Sequence, residues 1–169
     1  MGRLVIVKGD PVEGTDKHNV SGLGPHKTSP PPATAPYKGV GDFSYAGTIA
    51  DRVSDFVRIG GRPIAVVTSR SALDSGQDKA PLGKHSGPAG SSFVAGADSE
   101  APTPIPPSLE IKDDIGPGVP SAGAGSRLLT VGKAGVLLDA DKIDTCSGAE
   151  QTKQSTVTAA KQSFVTCSE

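Results

Sequence analysis

Short apolar runs bounded by glycine and other turn residues dominate the hydrophobic pattern of this chain. Leu4-Val5-Ile6-Val7, Ile64-Ala65-Val66-Val67 and Val136-Leu137-Leu138 are each too short for a helix that buries one face. Short runs of this kind with turn signals on both sides are typical of β-strands. The pattern therefore predicts an all-β protein built from short strands and many turns.

The second and third of these runs belong to an internal repeat with an offset of 72 residues. Gly60 falls on Gly132, and further along Ser75-Gly76 falls on Ser147-Gly148. The regular offset matters because repeats decide an architecture before any single element does. We therefore expect two copies of one β-hairpin unit, each with a glycine at its turn.

The N-terminus supplies another copy of the unit. Its apolar run ends at Gly9, and the segment from Asp16 to Gly22 aligns with the segment from Asp141 to Gly148. Three hairpins that cannot each bury a face alone are expected to pack around a common axis. The sequence thus predicts pseudo-threefold symmetry within one chain.

Composition narrows the class of protein. The chain has 169 residues, with Gly 22, Pro 15 and no Trp. Glycine and proline at this level do not suit a helical bundle, and the low aromatic content does not suit the core of a large α/β enzyme. A thin β structure needs a staple such as a metal ion, a disulfide or a partner chain.

Charge and hydropathy argue against nucleic-acid partners, anionic lipid and a transmembrane or signal segment. The formal net charge of −1 gives no basic footprint for nucleic acid or anionic lipid. No apolar run reaches the length of a transmembrane helix, and the run from Leu4 to Val7 is too short for a signal peptide. We expect a chain that is made in the cytoplasm without a cleaved leader and that binds no nucleic acid.

The scarce histidines and cysteines are the candidate metal ligands. His26 and His85 take equivalent places after Leu-Gly in the first two copies, and His18 and Cys146 lie just before the Ser-Gly pairs of the first and third. Folding about a common axis would bring these turns to one end. Three imidazoles and one thiolate suit a closed, structural Zn²⁺ site. The predicted ligands of one zinc ion are therefore His18, His26, His85 and Cys146.

Cys167 leaves alternatives open, since it can replace one histidine as ligand, form a disulfide with Cys146, or stay a free thiol.

The motifs of hydrolases, zinc proteases and phosphate-binding loops are missing from the sequence. A closed zinc site also has no open position for a water molecule. We therefore expect no enzyme activity.

Two hairpins and one closing segment of this chain resemble those of the PAAR-repeat proteins. The hairpins are Ile59-Gly60-Gly61-Arg62-Pro63-Ile64-Ala65 and Val131-Gly132-Lys133-Ala134-Gly135-Val136, and the closing segment is Asp144-Thr145-Cys146-Ser147-Gly148. The resemblance spans roughly residues 3–148 and is to the divergent, PAAR-like members, because no literal Pro-Ala-Ala-Arg occurs. It implies a small all-β cone of three pseudo-threefold β-hairpin repeats with long Gly/Pro-rich loops.

The domain organisation expected from this resemblance is a metal-stapled cone over residues 1–148, with insertions at 23–56 and 86–126, followed by a tail at 149–169. The tail offers a capping box between Ser147 and Glu150, which is consistent with a short C-terminal helix.

The function that the resemblance implies is that of a structural tip on a contractile injection machine, such as a type VI secretion system or a phage-tail-like particle. The base of the cone would sit on a trimeric β-helical spike, and the chain would be a monomer by itself. It would sharpen the spike, meet the target membrane transiently and offer a place for effector cargo. The base contact is expected from Leu4, Ile6, Val66 and Leu138. Assembly would take place in the bacterial cytoplasm, and the chain would leave the cell within the particle.

Two functions from other classes stay open at this stage. One is a partly disordered secreted or surface binding module whose repeats space Pro-rich segments such as Pro102–Pro107. The other is a truncated effector enzyme with its catalytic region in the tail from residue 149 onward.

Overall fold

The computed structural model describes residues 2–28, 30, 33–74, 86–113, 117–145 and 155–168. Within these residues the protein is all β, with one 3-10 turn at Pro106–Ser108 and no α-helix. The strands are β1 (Arg3–Leu4), β2 (Pro11–Pro25), β3 (Thr34–Asp51), β4 (Arg58–Ile59), β5 (Arg62–Pro63), β6 (Arg70–Leu73), β7 (Ser86–Ala95), β8 (Glu110–Ile111), β9 (Val119–Pro120), β10 (Thr130–Val131), β11 (Ala134–Gly135), β12 (Lys142–Asp144), β13 (Ser155–Val157) and β14 (Thr166–Cys167).

The three apolar runs meet at a pseudo-threefold axis. Their central residues, Ile6, Ala65 and Leu137, are all buried. Their backbones form a closed ring of hydrogen bonds, in which Ile6 N–H donates to Leu137 O at 2.9 Å, Leu137 N–H to Ala65 O at 3.0 Å, and Ala65 N–H to Ile6 O at 2.9 Å. Each copy donates to one neighbour and accepts from the other, so the predicted internal repeat and its symmetry are confirmed.

A polar side chain closes the turn after each apolar run. It accepts the backbone N–H at the end of the run. The donors and acceptors are Val7 and Asp10 (2.8 Å), Val66 and Ser69 (2.9 Å), and Leu138 and Asp141 (2.9 Å). Asp10, rather than Asp16, is therefore the counterpart of Asp141, and the expected alignment of the first copy beyond Gly9 is wrong.

Two of the expected hairpins are continuous in sequence. The pair β4–β5 turns at Gly60-Gly61, with φ of 55° and 80°, and β10–β11 turns at Gly132-Lys133, with φ of 58° and 70°. Two consecutive positive φ angles give the turn type that matches the twist of paired strands. Glycine or a tolerant residue is needed there because L side chains rarely adopt this conformation.

The first copy is completed by the far end of the chain. Strand β14 pairs antiparallel with β1, with Arg3 opposite Cys167 and Leu4 opposite Thr166. This pair takes the place of β4–β5 and β10–β11, and Cys167 stands where the other copies have Ile59 and Val131. Residues 155–168 are therefore part of the repeat and contain its strands β13 and β14. The expected short C-terminal helix is wrong for these residues, and its capping pair at 147 and 150 lies outside the described ranges.

Beyond the axis, eight strands form a nearly closed antiparallel sheet. Six of them follow the order β6-β3-β2-β13-β12-β9, while β7 pairs with β3 and β8 pairs with β2. An isolated bridge between Ser71 and Gly118 joins β6 to β9 and closes the ring. Each copy contributes one strand that leaves its apolar run and one that returns toward the hairpin end. These are β2 and β3 in the first copy, β6 and β9 in the second, and β12 and β13 in the third. Closure leaves few free strand edges, which lowers the tendency to pair with other chains.

The insertion expected at 23–56 is largely regular structure. It contains all of β3, an 18-residue strand whose residues from Thr34 to Thr48 pair with the whole of β2. The glycines that suggested loops allow close packing instead: a Cβ on Gly41 would lie 2.5 Å from the Phe93 ring. Phe93 packs edge-on against Phe43, with ring centroids 6.3 Å apart. The expected insertion at 86–126 likewise contains β7, β8 and β9.

The apolar core is divided into three layers along the axis. The first layer lies at what we call the hairpin end (residues 2–4, 54–63, 126–135 and 162–168) and contains Val5, Val7, Ile64, Val66, Val136 and Leu138. The second layer surrounds Ile6 and Leu137, and the third, around Tyr37 and Phe43, fills what we call the distal end (residues 15–25, 34–44 and 93–111). The core at the hairpin end and the core at the distal end are therefore formed by different residues.

Candidate functional site

Three large apolar side chains at the hairpin end are the most exposed of their kind among the described residues. Phe56, Leu128 and Phe164 have 75%, 74% and 70% of their surface open to solvent. The others are less exposed: Leu129 beside Leu128 at 37%, Val119 at 36%, and Leu23 at 45% and Val94 at 60% toward the distal end. Leaving three side chains of this size in water costs free energy, so their presence marks a candidate binding surface.

The three positions are equivalent under the pseudo-threefold axis. In each copy a buried polar side chain accepts the backbone N–H of the residue three positions further on. These pairs are Ser54 and Val57 (3.0 Å), Ser126 and Leu129 (2.9 Å), and Gln162 and Val165 (2.9 Å). The exposed residue lies directly before the N–H donor in each turn. The same local structure therefore presents Phe56, Leu128 and Phe164, which we call the apolar ring.

The sequence predicts the wrong residues for this surface. Ile6, Val66 and Leu138, expected at the base contact, are buried at 0%, 6% and 0% exposure, and Leu4 is half-buried in β1. They hold the copies together rather than facing a partner. A usable signal does exist, since Phe56-Val57 recurs as Phe164-Val165. Phe164-Val165 lies in the segment 149–169, which the sequence analysis assigns to a tail outside the repeat.

The predicted zinc ligands do not come together as a set. His18 lies in β2, opposite Gly41, and His26 directly follows the same strand. Eight residues of extended strand separate them by about 26 Å at roughly 3.3 Å per residue. One ion cannot bind both, so at most one of them can join His85 and Cys146, which lie outside the described residues.

His18 is nevertheless an unusual residue, because its side chain is fully buried at 0% exposure. Its Nδ1 lies 3.3 Å from Asp113 Oδ2, and its ring packs edge-on against Phe43 at 5.7 Å between centroids. Asp113 also accepts the backbone N–H of Asn19 at 2.6 Å. These contacts pin the second half of β2 against the distal layer of the core.

Burial lowers the pKa of His18 below its usual 6.5, although the neighbouring Asp113 carboxylate acts in the opposite direction. The unfolded chain therefore takes up a proton at a higher pH than the folded one. We expect stability to be full above about pH 6.5 and to fall below it, by at most about 1.4 kcal/mol per pH unit from this group. Thermal unfolding between pH 7 and pH 5 measures this effect, and His18→Gln should flatten the curve.

The matched control for that experiment is His26→Gln, since His26 is half-exposed beside Thr28. It removes an imidazole elsewhere in the chain, and its thermal unfolding curve is compared with that of His18→Gln over the same pH range. Equal slopes for the wild-type protein and His18→Gln would contradict the assignment of the effect to His18.

No group of three or more potential metal ligands occurs within the described residues. Cys167 has a free thiol, and its side chain packs in the first core layer with Sγ 3.4 Å from Ser126 Oγ. Of the alternatives for Cys167, the structure therefore favours the free thiol. Zinc binding stays a prediction of the sequence.

In the part of the chain that the structure describes, no helix has the length and hydropathy needed to cross a membrane.

Comparisons with known proteins found no matching family model, no matching curated protein and no matching solved structure.

Proposed function

We propose that this chain is the structural tip of a contractile injection machine, of the type VI secretion or phage-tail-like kind, and that it caps a trimeric β-helical spike. The observation that supports the proposal is the apolar ring of Phe56, Leu128 and Phe164 around a pseudo-threefold axis. A single chain that repeats one exposed apolar position three times suits a partner that repeats its own surface three times.

The proposal explains why one chain has threefold form. A spike made of three identical chains ends in a face with exact threefold symmetry, and a single cap that matches it must imitate that symmetry. The ring of hydrogen bonds among Ile6, Ala65 and Leu137 fixes the three copies at equal heights on the axis. The cap would also cover the strand ends of the spike, which otherwise invite aggregation.

The opposite end of the molecule suits mechanical work. The hairpin of β2 and β3 runs away from the hairpin end and is held by the distal core layer around Tyr37 and Phe43. A tip acts through shape and stiffness, so no catalysed reaction is needed and the work comes from contraction of the machine. In this proposal the distal end meets the target membrane, effectors are carried as cargo, and the chain assembles in the bacterial cytoplasm before it is exported with the particle.

The test is to mix the chain with the trimeric spike protein encoded nearest to it in its source genome. Native mass spectrometry should show one copy of the chain on each trimer. Phe56→Lys combined with Phe164→Lys should weaken binding at least a hundredfold, because two apolar contacts are lost and two charges would be buried.

The matched control exchanges two exposed apolar residues away from the apolar ring, Leu23→Lys with Val94→Lys, and should bind like the wild-type protein. The proposal fails if the wild-type chain does not bind the trimer, or if the two double variants weaken binding equally.

A further inference from the structure

The residues that directly precede the apolar ring break its symmetry. They are Asp55 before Phe56, Arg127 before Leu128, and Ser163 before Phe164. All three are exposed. One position of the repeat therefore carries a negative charge, a positive charge and no charge in the three copies.

The exposed position two residues after the ring also differs in charge between the copies. It is Arg58 in the second copy, where its guanidinium donates to Gly61 O at 3.0 Å. Thr130 and Thr166 stand at the corresponding places in the other two copies. The ring position itself, by contrast, is apolar in all three copies.

A homotrimer presents the same side chain to each of these unequal positions. A carboxylate on the partner that attracts Arg127 would repel Asp55, and a cation would do the reverse. At contact distances each pair contributes energies of similar size and opposite sign, so no charged group on the partner is complementary in all three copies. An apolar pocket meets no such conflict.

We infer that the partner of the hairpin end presents three identical, uncharged apolar pockets, one each for Phe56, Leu128 and Phe164. This inference rests on the proposed function and specifies the chemistry of its partner. Binding is then carried by apolar burial, and the charges around the ring contribute little to affinity.

The experiment measures the affinity of the chain for the spike trimer named above at 50 mM and at 500 mM NaCl. The Debye length is about 14 Å at the lower salt concentration and about 4 Å at the higher one. The affinity should change less than about threefold, since apolar contacts are not screened by salt. Phe56→Ala and Phe164→Ala should each weaken binding by roughly tenfold or more and to similar degrees. Asp55→Asn and Arg127→Gln should each change it by less than about threefold.

The outcomes separate the inference from the proposed function. If the trimer binds but its affinity falls steeply with salt, or Arg127→Gln weakens binding as much as Phe56→Ala, the inference is wrong while the tip function stands. If Phe56→Ala and Phe164→Ala differ more than tenfold, the three pockets are not equivalent and the inference is also wrong. If no trimer binds at either salt concentration, the proposed function fails and the inference fails with it.

Discussion

Asp10→Ala is expected to lower the free energy of unfolding by roughly 3–5 kcal/mol. The Asp10 side chain is fully buried, and its carboxylate accepts three backbone N–H groups, those of Val7, Ala160 and Lys161, each at 2.8 Å. Alanine would leave the buried Val7 N–H and the part-buried Ala160 and Lys161 N–H groups without this acceptor. A fully buried unpaired donor costs about 1–3 kcal/mol, and the part-buried donors add less. Chemical denaturation monitored by circular dichroism measures the change.

Two variants serve as comparisons. Asp10→Asn keeps one carbonyl oxygen, so it should lose less stability than Asp10→Ala. Asp55→Ala removes an exposed carboxylate at the hairpin end and should stay within about 0.5 kcal/mol of the wild-type protein. A loss below 1 kcal/mol for Asp10→Ala would mean that these hydrogen bonds do not join the copies as the structure indicates.

Ending the chain at Lys161 is expected to remove about 4 kcal/mol or more, or to abolish cooperative unfolding. The deletion removes β14 and Gln162, whose Nε2 donates to Val5 O at 2.7 Å. It also removes Val165 O, which accepts Val5 N–H at 3.0 Å. Both polar groups of a buried backbone residue lose their partners, and the apolar contacts of Val165 and Cys167 with the first core layer are lost as well.

The control for this deletion ends the chain at Cys167, which keeps β14 and its pairing with β1. It should unfold within about 0.5 kcal/mol of the full chain, because Ser168 is exposed. Equal stability of the chain ending at Lys161 and the full chain would instead support a tail that is separate from the repeat.

The sequence predicts much of the architecture, and the reason is visible at particular residues. The offset of 72 places Gly60 on Gly132, and these glycines do form equivalent turns with positive φ. Glycine turn, apolar run and polar cap recur in this order in the second and third copies, so these two can be recognised from short-range patterns. The all-β class follows from the same short runs.

What the sequence misses depends on long-range pairing. The first copy takes its outer strand from residues 166–167, so no local window contains that hairpin. The Asp-Lys segment at 16–17 looks like the one at 141–142, but only the hydrogen bond from Val7 identifies Asp10 as the true counterpart. Glycine-rich β3 looked like a loop because the close approach of Phe93 cannot be seen from the chain order.

The sequence does not single out the residues of the apolar ring, for a related physical reason. Apolar character alone does not say whether a side chain is buried or exposed, and buried candidates such as Ile6 and Leu138 look the same in sequence as a docking residue. Exposure of Phe56 follows from the Ser54 turn that holds it outward. His18 and His26 cannot share one ion because His18 lies in β2 and His26 directly follows the far end of that strand.

The pairing of β1 with β14 sets the order in which the molecule can be completed during synthesis. Arg3 is synthesised long before its partner Cys167, because the other two copies lie between them in the chain. The second and third copies can form their own hairpins from neighbouring residues, while β1 stays unpaired until β14 is made. Contacts this distant in sequence are slow to form and expose aggregation-prone edges meanwhile. The strand edge of β1 is therefore protected only after β14 has been synthesised.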